Sequence, residues 1–108
     1  MVRAAEGLHI RPAATGTDSV TFTGNTVNPG DADITADGGD VCAAITGTTG
    51  TGGINLAQND TSTIKLPGYT GSPEDTSAVA SFLQSRNSVP ATATVSGSGG
   101  GFTGGSGC

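Results

Sequence analysis

Residues 19–27 read SVTFTGNTV, and the way this stretch bends decides the fold. Val20, Phe22 and Val27 lie in β-branched and aromatic sequence, which favours extended backbone. Gly24 and Asn25 interrupt it. A coil built on GNTV turns its valine inward and its asparagine into a corner, where Asn tolerates left-handed geometry and can stack in hydrogen-bonded ladders. One such coil cannot bury its apolar face alone, so coils must stack and the last needs a cover.

The rest of the chain reads in the same way. Strand-like runs of four to nine residues recur at GLHIR, ADITA, DVCAAITG, GGINLAQ, STIKLPGY and ATATVSG, separated by Gly, Asn, Asp or Pro. In STIKLPG, Ile64 and Leu66 point one way and Thr63 and Lys65 the other; in GINL, Ile54 and Leu56 share a face across Asn55. Each run carries only one or two large apolar groups. Two facing sheets would have to fill a core about 10 Å thick, whereas a coil lined by small inward ladders needs less. With 108 residues, 33% of them hydrophobic, 19 glycines and no tryptophan, the composition suits short strands and turns in one mainly β domain.

One helix is predicted over residues 73–86, PEDTSAVASFLQSR. Ser72 is the expected N-cap, Pro73 the first helical residue, and Glu74 and Asp75 sit where the helix dipole favours anions. Val79, Phe82 and Leu83 form an apolar stripe, with Arg86 and Asn87 as an ordinary stop. The stripe serves a helix that caps an exposed β core, or alternatively one that binds a partner. The domain then divides into coils over 1–71, a capping helix over 72–87, and a last strand with a glycine-rich tail over 88–108. That tail, SGSGGGFTGGSGC, is flexible unless Phe102 and Cys108 anchor it.

Cys42 and Cys108 are too few for a zinc site and lack CxxC spacing. A disulfide between them closes a loop long enough to stabilise by about 4 kcal/mol and implies an oxidising compartment. The alternative is a reduced, buried Cys42 and a terminal cysteine with no structural role.

In their order, STIKLPGYTG, AVASFLQSRN and GGGFTGGSGC, preceded by VTFTGNTV, resemble the C-terminal end of large secreted bacterial right-handed parallel β-helix repeat proteins. The resemblance runs from about Gly7 to Cys108. It implies a short right-handed solenoid with a capping helix, acting as a non-enzymatic secreted or cell-surface module: a stalk, an adhesive segment or a filament subunit. Its expected partners are upstream coils, another copy meeting an unpaired sheet edge, or a surface glycan or protein. Some β-helix families cleave acidic polysaccharides, but no acidic cluster and arginine here match such a site, so an enzyme fragment stays an alternative only.

A second resemblance is local. GLHIRPAA, residues 7–14, is similar to the phosphorylation signature of the histidine-containing phosphocarrier protein HPr, in which the histidine and the arginine, here His9 and Arg11, would hold a phosphoryl group at a helix N-terminus. That chemistry needs a helix next, and TGTDSVTFTGNTV follows instead. The plainer reading is a strand in which Leu8 and Ile10 alternate with His9 and Arg11.

Asp31, Asp33, Asp37 and Asp40 in DADITADGGD are hard oxygen ligands in a glycine-rich loop, but their spacing misses the EF-hand and the nonapeptide solenoid repeat. They are calcium candidates set against a solvated acidic loop, and no other cofactor is expected. A formal charge of −5 with four basic residues offers no stripe for nucleic acid or anionic membrane. No apolar run reaches membrane-spanning length, and an export signal is expected upstream of these residues.

Overall fold

The computed structural model describes residues 3–4, 8–10, 16–27, 30–96 and 100–108. It is mainly β, with one helix, and all described strand pairs are parallel. In chain order the elements are β1 (Arg3–Ala4), β2 (Leu8–Ile10), β3 (Thr17–Thr23), β4 (Thr26–Val27), β5 (Ala32–Asp37), β6 (Asp40–Thr46), β7 (Thr49–Gly50), β8 (Ile54–Asn59), β9 (Thr63–Lys65), α1 (Thr76–Arg86), β10 (Ala91–Ser96) and β11 (Gly101–Thr103). Sheet 1 is β1-β4-β7, sheet 2 is β2-β5-β8-β10 and sheet 3 is β3-β6-β9-β11. The chain therefore visits the three sheets in rotation.

Register shows how regular the rotation is. Thr26 pairs with Arg3 and Thr49 with Thr26, each 23 residues on; Asp40 pairs with Thr17 and Ile64 with Val41, also 23 on. In sheet 2 the spacing is 24 from Leu8 to Ala32 and 22 from Ala32 to Ile54. Parallel strands in register put equivalent residues on one face, so the buried face is a set of columns: Ala32, Ile54 and Ala91; Ile34, Leu56 and Ala93; Val41, Ile64 and Phe102. Ile34, Ile54, Leu56, Ile64 and Phe102 are at most 2% exposed, and burying each such side chain contributes about 1.5–3 kcal/mol.

The corner read from GNTV is present, with one difference. Gly24 (φ +64°), not Asn25, takes the left-handed conformation, and Gly47 (φ +70°) repeats it one pass later. Glycine does so without the Cβ penalty. Asn25 is buried and Val27 wholly so, but position 25 becomes Thr48 in the next pass, so no run of asparagines stacks here. At the corner between sheets 2 and 3, Gly38 (φ +95°) is succeeded by Asp60 at φ +55°, the only non-glycine with positive φ among the described residues. An L-residue there carries a cost of about 1–2 kcal/mol, less for Asp than for most. Asp60 uses its backbone N–H and C=O, donating to Ser96 O at 2.8 Å and accepting from Gln58 Nε2 at 3.0 Å. Asp60→Gly keeps both bonds and removes the strain, while the freer unfolded chain offsets part of the gain. A net stabilisation of up to about 1 kcal/mol is expected in urea unfolding; a loss of stability would show that the Asp60 side chain holds the corner.

The last pass is longer. Ala91 lies 37 residues beyond Ile54, against 22 for the pass before, and Gly101 lies 38 beyond Thr63, against 23. The excess is the segment bearing α1, inserted after β9. Its helix starts three residues later than the sequence suggests. Asp75 is the N-cap, its carboxylate accepting from Ala78 N at 3.0 Å, while the Ser72 carbonyl accepts the Tyr69 hydroxyl at 2.6 Å. Pro73 and Glu74 lie in the turn before the helix. Val79 and Leu83 are fully buried, whereas Phe82 is only half-buried.

Candidate functional site

Three clusters of side chains stand out, and each follows from the register. The first is the outer face of sheet 2. Asp33, Asn55 and Thr92 occupy one outward row, with His9 in register beside Asp33. Asn55 spends its whole amide within the row: Nδ2 donates to Asp33 Oδ1 at 2.7 Å and Asp31 Oδ2 at 3.1 Å, and Oδ1 accepts the Thr92 hydroxyl at 2.6 Å. Asp31 Oδ1 also accepts the Gly53 N–H at 2.8 Å. The row thus stitches successive strands together, since hydrogen bonds to charged acceptors are stronger than neutral ones.

The four aspartates considered for calcium separate into two places. Asp31 and Asp33 join the row just described. Asp37 and Asp40 flank the opposite corner, where Asp40 Oδ1 accepts the Thr63 N–H at 2.8 Å. Among the described residues no three acidic, histidine or cysteine side chains gather as metal ligands. His9 lies in strand β2, paired in parallel with Ala32–Ile34, so its backbone is extended; Arg11 and the residues after it to position 15 fall outside the described residues.

The second cluster joins the end of α1 to the corner after β6. Gly47 N donates to Arg86 O at 2.9 Å and Ser88 N to Thr48 O at 2.8 Å, so residues 86–88 continue the corner ladder for one more pass. Asn87, 7% exposed, completes it through its side chain. Its Oδ1 accepts from Thr48 N at 3.0 Å, and its Nδ2 donates to Ile45 O at 3.2 Å and Leu83 O at 2.8 Å. Its backbone is extended (φ −138°, ψ 152°), so it ends the helix with its amide rather than with left-handed geometry. On the outer side of α1 the Arg86 guanidinium lies 4.1 Å over the Phe82 ring, which meets Tyr69 edge-on at 5.7 Å. Burial, and then the Asp75 carboxylate, raise the pKa of the Tyr69 phenol above its ordinary range.

The third cluster is the tail. Phe102 is fully buried, Leu66 N donates to Thr103 O at 2.7 Å and Gly68 N to Gly105 O at 2.9 Å. A Cβ on Gly104 would overlap the Tyr69 carbonyl oxygen, so the glycines here permit close approach instead of conferring freedom. From Gly105, beside Lys65, the tail reaches back to β6 and closes the Cys42–Cys108 disulfide.

The sequence marked both cysteines and the helix stripe but missed Asn87, read only as a stop, and the Asn55 row. The outward alternation of ADITAD and INLAQN held the signal for the row; nothing local signalled Asn87. No cavity is present among the described residues, and no described helix is long and apolar enough to cross a membrane. No protein-family model matches the chain, and no curated protein or solved structure is found to be similar to it.

Proposed function

We propose that the three sheets are the faces of a short right-handed parallel β-helix, that the segment 72–87 is its cap, and that the chain works as a non-enzymatic structural or adhesive module outside the cell. The observation that carries this is the rotation through three parallel sheets at 22–24 residues per pass. Parallel crossovers of this kind are right-handed in nearly every known case. The cap reading draws on the free edges of the last strands. Gln84 Nε2 donates to Ala91 O at 3.5 Å, and Phe102 N donates to Pro73 O at 2.9 Å, so the inserted segment meets both β10 and β11 while Val79 and Leu83 seal the end of the core.

The placement outside the cell draws on the disulfide. The structural role draws on how the polar outer groups are used: the carboxylates and amide of the Asn55 row hold one another, in an arrangement that stiffens a surface. The polysaccharide-cleaving alternative gains no support from the placing of the aspartates, which separate into two places. The full chain should therefore release no new reducing ends and no unsaturated products from polygalacturonate, with or without calcium, and should be recovered from its source cells in the surface or secreted fraction with the disulfide closed. Depolymerisation, or recovery as a cytosolic dithiol, would overturn the proposal.

A further inference from the structure

Asp37–Gly38 is the only place in the sequence where an aspartate or asparagine is followed by glycine. Such a pair carries its own reaction. The glycine nitrogen can attack the aspartate Cγ, because no side chain on the following residue stands in its way. An N–Cγ bond forms, the nitrogen gives up its proton and a carboxyl oxygen leaves as water, closing a succinimide ring. Water then opens the ring at either carbonyl. Addition at the former main-chain carbonyl of Asp37 sends the chain through Cβ, and the product is isoaspartate, of unchanged mass. No oxidant, metal or second protein takes part.

The fold places this pair at the corner between sheets 2 and 3 and holds its nitrogen. Asp37 ends β5 and is half-buried, and Gly38 is exposed with φ +95°, so water reaches the corner. Gly38 N–H, however, donates to the Ser62 hydroxyl oxygen at 2.6 Å. Ser62 is 1% exposed, and its backbone is pinned: its N–H donates to Asn59 O at 3.2 Å, and its carbonyl accepts from Gln58 Nε2 at 2.6 Å and Gly101 N at 3.2 Å. The acceptor therefore does not follow when the corner flexes, and swinging the nitrogen towards Cγ breaks the bond first. One pass later the pair in register is Asn59–Asp60, whose nitrogen is held by Ser96 O at 2.8 Å. There the acceptor is backbone and the following residue carries a side chain. Of the two corners, only the first rests a glycine nitrogen on a side chain.

We propose that Asp37–Gly38 is a site of isoaspartate formation on the surface of the domain, and that the Ser62 hydroxyl is the latch that holds it closed. Reaction lengthens the main chain by one carbon between β5 and β6, at the corner that sets sheet 2 against sheet 3. This goes beyond the structural role proposed above and does not depend on it.

The native protein, Ser62→Ala and Asn87→Ala, each with the disulfide closed, are to be incubated in neutral buffer beside the reduced, urea-unfolded chain. Isoaspartate at residue 37 is followed by peptide mapping with electron-transfer fragmentation, which tells it from aspartate of the same mass. The native rate should lie at least about tenfold below that of the unfolded chain, since the bond must open before the ring can close. Ser62→Ala should react about fivefold faster than native, the worth of one ordinary net hydrogen bond. Asn87→Ala loses its bonds at a different corner and should keep the native rate, which separates local opening from a general loss of stability. If Ser62→Ala loses its far-UV circular dichroism, amide exchange of the native protein decides, and Gly38 N–H should be protected. A native rate equal to the unfolded one, a folded Ser62→Ala no faster than native, Asn87→Ala as fast as Ser62→Ala, or an unprotected Gly38 N–H each overturns the latch. The surface and polysaccharide assays read none of these quantities, so either proposal can fail alone.

Discussion

Replacing Asn87 with alanine should destabilise the protein by about 3–5 kcal/mol, in the tail of what single substitutions do. The side chain answers three buried backbone groups, Thr48 N–H, Ile45 C=O and Leu83 C=O, and it is 7% exposed. Each buried polar group left without a partner costs about 1–3 kcal/mol. For a chain of this size the loss lowers Tm by roughly 15–30 °C, measurable by circular dichroism. Asn87→Asp should not rescue it. The carboxylate still accepts from Thr48 N–H but faces two carbonyl oxygens with no hydrogen to offer. An alanine variant within about 1 kcal/mol of the native protein would mean that water replaces the amide, and that residues 86–88 are held by their backbone bonds alone.

Asn87 also marks the limit of what the sequence discloses. The strands were legible wherever apolar and polar residues alternate, as in ADITAD, INLAQN and TIK, because a half-buried strand writes its period directly into the side chains. The helix was legible from Val79 and Leu83. Its start was not: Ser72 has the right chemistry for an N-cap, but its carbonyl is engaged by Tyr69 and the next carbonyl, of Pro73, by Phe102, so capping passes to Asp75. One of these partners is three residues away and the other 29, and both act through tertiary placement that no local propensity reports. β11 was hidden for a related reason. GGGFTGG lacks strand formers apart from Phe102 and Thr103, yet the neighbouring backbone comes so close that only glycine fits at positions 100 and 104. The 23-residue pass was hidden by divergence: GNTV at 24–27 returns as GTTG at 47–50, and only the left-handed glycine, the buried position after it and the paired threonines Thr26 and Thr49 persist. In the candidate sites, the cysteine pair was readable because two cysteines allow one connectivity. The row Asp33–Asn55–Thr92 was not, because register between distant strands is a property of the folded chain.

The disulfide should account for a comparable share of stability, by a different route. Cys42 and Cys108 are 66 residues apart, and in the loop-entropy model a cross-link of that span stabilises by about 4 kcal/mol by restricting the unfolded chain. Cys108→Ser opens it with little change to the folded state. Cys108 is exposed, Cys42 is 5% exposed and tolerable as a small buried thiol, β11 keeps its anchor in Phe102 and its bonds to Leu66 and Pro73, and Gly105 beyond it keeps its bond to Gly68. The far-UV spectrum should therefore persist while Tm falls by roughly 15–30 °C. Denaturant unfolding separates this mechanism from a loss of native contacts. An unfolded chain freed of its cross-link exposes more surface, so the urea m-value of Cys108→Ser should exceed that of the native protein. For Asn87→Ala, whose loss lies in the folded state, m should stay unchanged as the midpoint drops. An equal midpoint for Cys108→Ser and the native protein under oxidising conditions would show that the tail is held by Phe102 and its backbone bonds, and that the bond to Cys42 adds nothing measurable.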